Sequence, residues 1–425
     1  MSTTKPTPLP VSKHMVWNAY KKVRANQGSA GIDGESLKDF EFLLEDNLYK
    51  IWNRLSSGTY FPPPVKEVEI AKSDGKMRKL GIPTVGDRVA QMVIKDYLEP
   101  RMESIFHESS FGYRASRSAH DALQKARRNC WLFDWVIDID IKGFFDNIDH
   151  SKLLLAIEKH VEEKWVKMYI NRWLTAAVQL SNGALIYREG KGTPQGGVIS
   201  PLLANLFLHY TFDQWMTKFL TGVKFERYAD DIIVHCKTKE QAEYVLKRIE
   251  MRMAECKLEL HPEKTKIVYC KDHKRTGSYE HVKFDFLGFT FKPRPTKSQK
   301  DDFKFLGFDL AISTKSGKRI LATLRQTHFH RWTNTTIEEI AAELNPKLRG
   351  WINYYGKFRP SAMSFIFRTF TSRLIKWVMN RYKRLRNNIR KAFKFLSNIQ
   401  KSKPTLFETW KHGFLINGLK MTKAV

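Results

Sequence analysis

Cysteine is scarce and scattered in this sequence. The 425 residues include four, Cys130, Cys236, Cys256 and Cys270, far apart and without a C-x-x-C pair, which argues against a zinc ribbon and a disulfide framework. Long apolar runs are missing too, since no stretch approaches the ~20 consecutive apolar residues that a membrane span needs. The opening Met1-Ser2-Thr3-Thr4-Lys5-Pro6 lacks the apolar core of a secretory signal, so a reducing, cytoplasmic location without a membrane partner is expected. Acid is in short supply: 44 Asp and Glu face 73 Lys and Arg, for a formal net charge of +29. A surface of this sign attracts polyanions, with nucleic acid the default partner. The excess is uneven, with residues 291 to 425 carrying 29 basic and 7 acidic residues, or +22, and residues 1 to 290 only +7.

Apolar residues, by contrast, are ample. At 42% hydrophobic and 13% aromatic, the chain can build the cores of two or three domains. Met15, Trp17, Tyr20 and Val23 recur at helical spacing, and a second apolar period runs from Leu37 to Leu55. Gly28 to Gly34 interrupts them as a turn. Pro62-Pro63-Pro64 ends the helices, and Val65 to Ile70 alternates as a half-buried strand. A turn at Ser73-Asp74-Gly75 is expected to close a hairpin with Met77 to Ile82. Residues 87 to 129 read as helical and basic, 131 to 140 as a short apolar strand, and Asp149-His150 as a capped helix start. Past Lys292 the pattern turns basic and irregular, and long helices are expected from about 335 to 398.

Carboxylates stand at the ends of two of these strands. Phe225 to Cys236 reads as a hairpin with Asp230 and Asp231 at its tip, where adjacent like charges need a cation or open water. Alone, such a pair is a solvated turn. A second acid-ended strand, Val136-Ile137-Asp138-Ile139-Asp140, changes that reading, because three carboxylates from two adjacent strands can hold a pair of divalent ions about 4 Å apart. Mg²⁺ suits this donor set, since it takes oxygen ligands and leaves room for phosphate. Asp138 and Asp140 share a strand face, so periodicity leaves both open. Between the strands lies Thr193-Pro194-Gln195-Gly196-Gly197, whose glycines let backbone approach a ligand closely before a helix starts near Ser200-Pro201.

In this order the elements resemble the reverse transcriptases encoded by bacterial and organellar group II introns. Asp140 with Phe144-Phe145-Asp146, the Gln195 loop, Tyr228-Ala229-Asp230-Asp231, Leu260 to Lys266 and Phe286-Leu287-Gly288-Phe289 look like successive palm motifs of that family. Leu80 to Arg88 and Ser110-Phe111-Gly112-Tyr113-Arg114 look like its finger motifs, Gly28 to Gly34 like its N-terminal extension, and Leu348 to Tyr355 like its thumb or maturase signature. The resemblance implies an α+β right-hand polymerase with a helical N-terminal extension and fingers, a palm of antiparallel sheet plus helices, and an all-α thumb. Domain bounds are expected at 1–60 for the extension, 61–291 for fingers and palm, 292–334 for a linker or insertion, 335–395 for the thumb, and 396–425 for a short basic tail.

Carried over by position, Asp140, Asp230 and Asp231 match the catalytic, metal-binding trio, which implies two Mg²⁺ ions. Phe145, five residues after Asp140, matches a steric gate that leaves no room for a ribose 2′ hydroxyl. Lys72 and Arg78 match residues that hold the incoming triphosphate, as expected where cations face phosphate. Gln195 matches a residue lining the nucleotide pocket. Lys264 matches a proton donor to pyrophosphate, with Lys266 equally close in sequence. The implied partners are an RNA template, structured intron RNA, a DNA primer or target, and dNTPs, in a bacterial cytoplasm.

The last third interleaves Arg368, Arg373, Lys376, Arg381, Lys383, Arg384 and Arg386 with Phe365, Phe370, Trp377 and Tyr382, so cations can follow a phosphate backbone while most rings pack inward. The paired cysteines of the endonuclease that often follows in this family are missing up to Val425, so second-strand cleavage is not expected. Three functions fit: a reverse transcriptase that also assists splicing and mobility of its intron, a maturase whose main task is RNA binding, and a relative serving phage defence or DNA repair.

Overall fold

The computed structural model describes residues 8–71, 77–297 and 303–414. The chain forms two compact units: residues up to 129 together with 135–267, and residues 130–134 together with those from 268 onward.

The first unit opens with helix α1 (Lys13–Asn26), where the Ser12 side chain accepts from the Met15 amide at 3.2 Å and Val16, Ala19, Tyr20 and Val23 form one buried stripe. Helices α2 (Leu37–Phe42) and α3 (Leu44–Ser56) follow, α2 entered through a Ser36/Asp39 capping box. Strands β1 (Val65–Ala71) and β2 (Met77–Ile82) pair antiparallel; their connecting turn and Lys72 lie outside the described residues. Helix α4 (Val85–Glu103) is buried on most sides, and its fully buried Asp87 accepts from Tyr60 Oη and Trp173 Nε1, both at 2.8 Å.

The helical stretch expected over 87–129 is broken. Residues 104–118 form a loop, and helix α5 (Ala119–Leu132) resumes after it. The cause is a tertiary contact: the Phe111 amide donates to the Arg227 carbonyl at 2.8 Å and the Arg227 amide to the Ser109 carbonyl at 2.9 Å, so the loop's backbone pairs with a strand.

Strand β3 (Trp135–Asp140) leads through a left-handed Gly143 into the single turn α6 (Phe144–Asn147), then α7 (His150–Glu158) and α8 (Lys164–Leu174). Two short strands, β4 (Val178–Gln179) and β5 (Leu185–Ile186), complete a sheet of order β2-β1-β4-β5. Helix α9 (Ser200–Leu208) continues into a π-helical turn, His209–Asp213, and α10 (Gln214–Phe219). Next come β6 (Lys224–Tyr228), β7 (Asp231–Cys236), α11 (Lys239–Glu255) and β8 (Lys266–Tyr269), giving a second sheet of order β6-β7-β3-β8. The β6–β7–β3 strands are antiparallel throughout.

The second unit carries β9 (Phe284–Phe286), β10 (Phe289–Lys297) and β11 (Lys304–Ile312) as an antiparallel sheet, then α12 (Thr314–Gln326), α13 (Ile337–Tyr355), α14 (Ser364–Arg381), α15 (Ile389–Ser402) and α16 (Glu408–Lys411). Phe284, Phe291 and Phe308 stack in its core. Of the stretch expected as a linker or insertion, residues 292–297 and 304–312 belong to β10 and β11 and Thr314–Gln326 to α12, and the two units divide at 267. Pro293 and Pro295 made this stretch look irregular. They are tolerated because, among the described residues, β9 pairs β10 only over Phe289–Phe291 and no strand pairs that edge beyond it, where a missing N–H costs little. The region expected as a tail from 396 likewise holds the end of α15 and the buried Phe407 and Trp410. Among the described residues no helix is long and apolar enough to cross a membrane.

Candidate active site

The β6–β7 hairpin pairs Tyr228 with Asp231, so Ala229 and Asp230 alone make the turn. Two-residue hairpins favour positive φ at their first loop position, which glycine usually fills. Here Ala229 takes it, at φ 57°, a left-handed conformation that costs a residue with a Cβ. Gly112 packs against this turn so tightly that a Cβ on it would lie 2.4 Å from the Ala229 nitrogen.

Strand register decides which carboxylates meet. In the β3–β7 ladder Asp140 lies directly opposite Asp231, and Asp138 opposite Ile233. Paired residues project on the same face, so Asp140 and Asp231 share one edge of the sheet and Asp230 sits at the adjoining tip. Burial pushes the Asp230 carboxyl up; the charge of Asp140 adds to this, while its own backbone amide, Arg78 and Arg227 oppose it. Asp231 is pushed up to about 7, first by the loss of hydration beside the packed strands and then by the charges of Asp230 and Asp140, with Lys264 pulling the other way. Its surface nevertheless stays open to solvent, so the repulsion is screened in part.

Lys264, not Lys266, comes to this edge. Its Nζ lies 3.3 and 3.4 Å from the two carboxylate oxygens of Asp140. Among the described residues no three His, Cys, Asp or Glu side chains close into a ready-made metal cage. The donor chemistry nonetheless fits a hard cation: three carboxylates from two strands, oxygen donors only, and mutual repulsion that positive charge relieves.

The other expected site residues form a second group. Arg78 Nε donates to Gln195 Oε1 at 2.8 Å, and Gln195 Nε2 reaches Asp146 Oδ2 at 3.5 Å. The Gln195 carbonyl accepts from the Gly81 amide at 2.7 Å, which ties the loop to strand β2. Gly196, at φ 120°, is required there, because a Cβ would lie 2.4 Å from the Gly81 oxygen. Phe145 is buried edge-on against Phe144, and its carbonyl accepts from the Thr193 amide at 2.8 Å. Phe145, Gln195 and Arg78 thus belong to one connected network, and the charge of Arg78 reaches Asp230.

Sequence reasoning missed Arg227, Asp213 and Asn205, all buried beneath the Asp230 turn. The available signal was a charged pair, Glu226-Arg227, inside an otherwise apolar strand, a pattern that requires buried partners. Glu226 finds His235 Nε2 at 2.6 Å and Asn129 Nδ2 at 2.6 Å.

The reverse transcriptase (RNA-dependent DNA polymerase) family matches residues 70–310, and the maturase-specific domain of group II introns matches residues 317–393. The group II intron-encoded protein LtrA of Lactococcus lactis subsp. cremoris is 28% identical over 415 residues, covering 80% of this chain and 68% of that protein. Protein YkfC of Escherichia coli K12 is 32% identical over 284 residues, or 57% of this chain and 73% of YkfC. A solved telomerase structure from Candida albicans aligns over 90% of this chain and 68% of that one at 11% identity and a TM-score of 0.47. This chain belongs to the reverse transcriptase family, in the group II intron branch that joins the polymerase to a maturase domain.

Proposed function

We propose that the chain extends a DNA primer with dNTPs on an RNA template and that its C-terminal unit grips structured intron RNA to assist splicing and mobility. The observation that carries the polymerase reading is the register pairing of Asp140 with Asp231 beside the Asp230 turn. Asp140, Asp230 and Asp231 would hold two Mg²⁺ ions. When bound, these supply the positive charge that favours attack by a 3′ hydroxyl and departure of pyrophosphate. Arg78 faces the triphosphate, a role that the resemblance also gives to Lys72, and the Gln195 side chain joins Arg78 to Asp146. Phe145 closes the space under the sugar where a 2′ hydroxyl would sit. Lys264 stands close enough to the acidic edge to hand a proton to the leaving pyrophosphate.

Like-charge crowding in the second unit supports the RNA-gripping part. The His330 ring is held below its usual range by burial and then by the charges of Arg373, Arg331 and, further down, Lys376. Such a cluster suits a phosphate backbone.

Purified protein given an annealed RNA template, a DNA primer, Mg²⁺ and dNTPs is expected to make cDNA. Failure to extend, or preferential use of ribonucleotides, sinks the reading. Asp230→Ala separates the two activities: loss of cDNA synthesis with splicing assistance intact is the expected result.

A further inference from the structure

Beneath the catalytic turn lies a buried arrangement that the polymerase reading leaves without a task. Arg227 is fully buried in strand β6, and all five of its guanidinium N–H groups are used. Nε donates to Asp213 Oδ1 at 2.7 Å and Nη2 to Asp213 Oδ2 at 2.6 Å, a two-pronged ion pair. Nη2 also donates to Ser110 Oγ at 2.8 Å, and Nη1 to Asn205 Oδ1 at 2.9 Å. The remaining bond runs from Nη1 to the Ala229 carbonyl at 3.2 Å.

Three features show that this cluster is built around the turn. Ala229 is the residue held at φ 57°, and its carbonyl belongs to the peptide that leads into Asp230. Asn205, besides accepting from Arg227, donates through Nδ2 to the Gly112 carbonyl at 2.7 Å, and Gly112 is the residue pressed against the Ala229 nitrogen. The turn is therefore gripped on two sides. Lastly, Asn205 and Asp213 reach one guanidinium although they lie eight positions apart. The π-helical turn His209–Asp213 accommodates an extra residue, so the pair meets as positions seven apart, two turns, do on a regular α-helix.

We propose that Arg227, held by Asp213, Asn205 and Ser110, is a positioning residue that imposes the left-handed Ala229 turn and thereby sets the reach of Asp230 and Asp231 toward divalent cations. This rests on the reading of those aspartates as metal ligands. The clamp touches neither nucleotide nor metal; it acts through one carbonyl and the backbone that follows it. Its burial keeps water from competing for the Ala229 carbonyl, so the turn is organised before substrate arrives.

The test is Mn²⁺ binding to the full chain, read by electron paramagnetic resonance, alongside the Mg²⁺ dependence of primer extension. Asn205→Ala removes two hydrogen bonds without stranding a charge, and Arg227→Lys keeps the charge but not the fork. Asn205→Ala is expected to weaken Mn²⁺ binding about tenfold, with activity recovering at high Mg²⁺ and the KM for dNTP unchanged. Adding Ala229→Gly to Asn205→Ala should restore part of that affinity, because glycine adopts positive φ without a clamp. A folded Asn205→Ala protein that binds Mn²⁺ like the parent overturns the proposal, as does an affinity loss that Ala229→Gly fails to relieve. Because Mn²⁺ binding needs no polymerisation, a parent protein that binds the ion yet makes no DNA defeats the polymerase reading and not the clamp.

Discussion

Asp231 is the residue where fold and chemistry pull hardest against each other. Its carboxyl is pushed up to about 7 from the usual range near 4, so in the metal-free protein folding favours the protonated form. Stability from this group is greatest at low pH and is lost as pH rises from about 4 to 7, because over that window the folded state binds more protons than the unfolded one. Asp231→Asn is therefore expected to raise the melting temperature of the metal-free protein above pH 7 by a few degrees, while cDNA synthesis falls by more than about 100-fold. Scanning calorimetry at pH 5 and 8 reads the first effect, and a melting point that drops at both would refute it. Phe145 makes the complementary prediction. Phe145→Val should admit ribonucleotides more readily, measured as the ratio of kcat/KM for dNTP and NTP, and an unchanged ratio would remove Phe145 from the gate. Asp231 stood out in the sequence beside a second acid-ended strand, and Phe145 through the family resemblance. Arg227 did not: the charged pair inside an apolar strand signals buried partners, but no local pattern names Asp213 and Asn205 as those partners.

At the scale of elements, helix α7 shows how a cap is made pH-sensitive. Asp149 caps it by accepting from the Lys152 amide at 3.0 Å and also binds Ser151 and the Lys257 ammonium. Partial burial pulls its acidity one way, and these hydrogen bonds overcome that and hold the carboxyl down at about 2. With a depressed folded value, the stabilisation is present above about pH 4 and disappears as pH falls toward 2. Asp149→Ala should cost about 1–2 kcal/mol at pH 7 and progressively less below pH 4, by urea unfolding. A cost that is constant across that range contradicts the assignment. This helix start was legible in the sequence, as were the β6–β7 hairpin and the long helices α13 and α14, since each is written in local periodicity or capping. The break at residues 104–118 was not, because the force that opens the helix is a backbone pairing with a strand more than a hundred positions away. The β10–β11 pair escaped for a related reason: its prolines look disruptive unless one knows that one edge of the strand is unpaired.

For the whole molecule, charge makes the governing prediction. The +22 carried by residues 291–425 should give RNA binding a steep salt dependence, and Arg331→Gln or Lys376→Gln, both exposed, should each lower the log–log slope by about 1. Filter binding from low to high salt reads this, and a slope untouched by either substitution would remove the cluster from the RNA contact. By itself the sequence determined the polyanionic partner, the two acid-ended strands, the loop between them and the run of basic helices, because these are properties of composition and short-range pattern. Periodicity left Asp138 and Asp140 level, and the family resemblance favoured Asp140 and, more weakly, Lys264. The tertiary structure adds the placement, with Asp140 opposite Asp231 and Lys264 beside Asp140. It also revealed that the turn bearing Asp230 is held from below by Arg227. Register and burial join residues far apart in the chain, and no window of sequence contains both ends of such a contact.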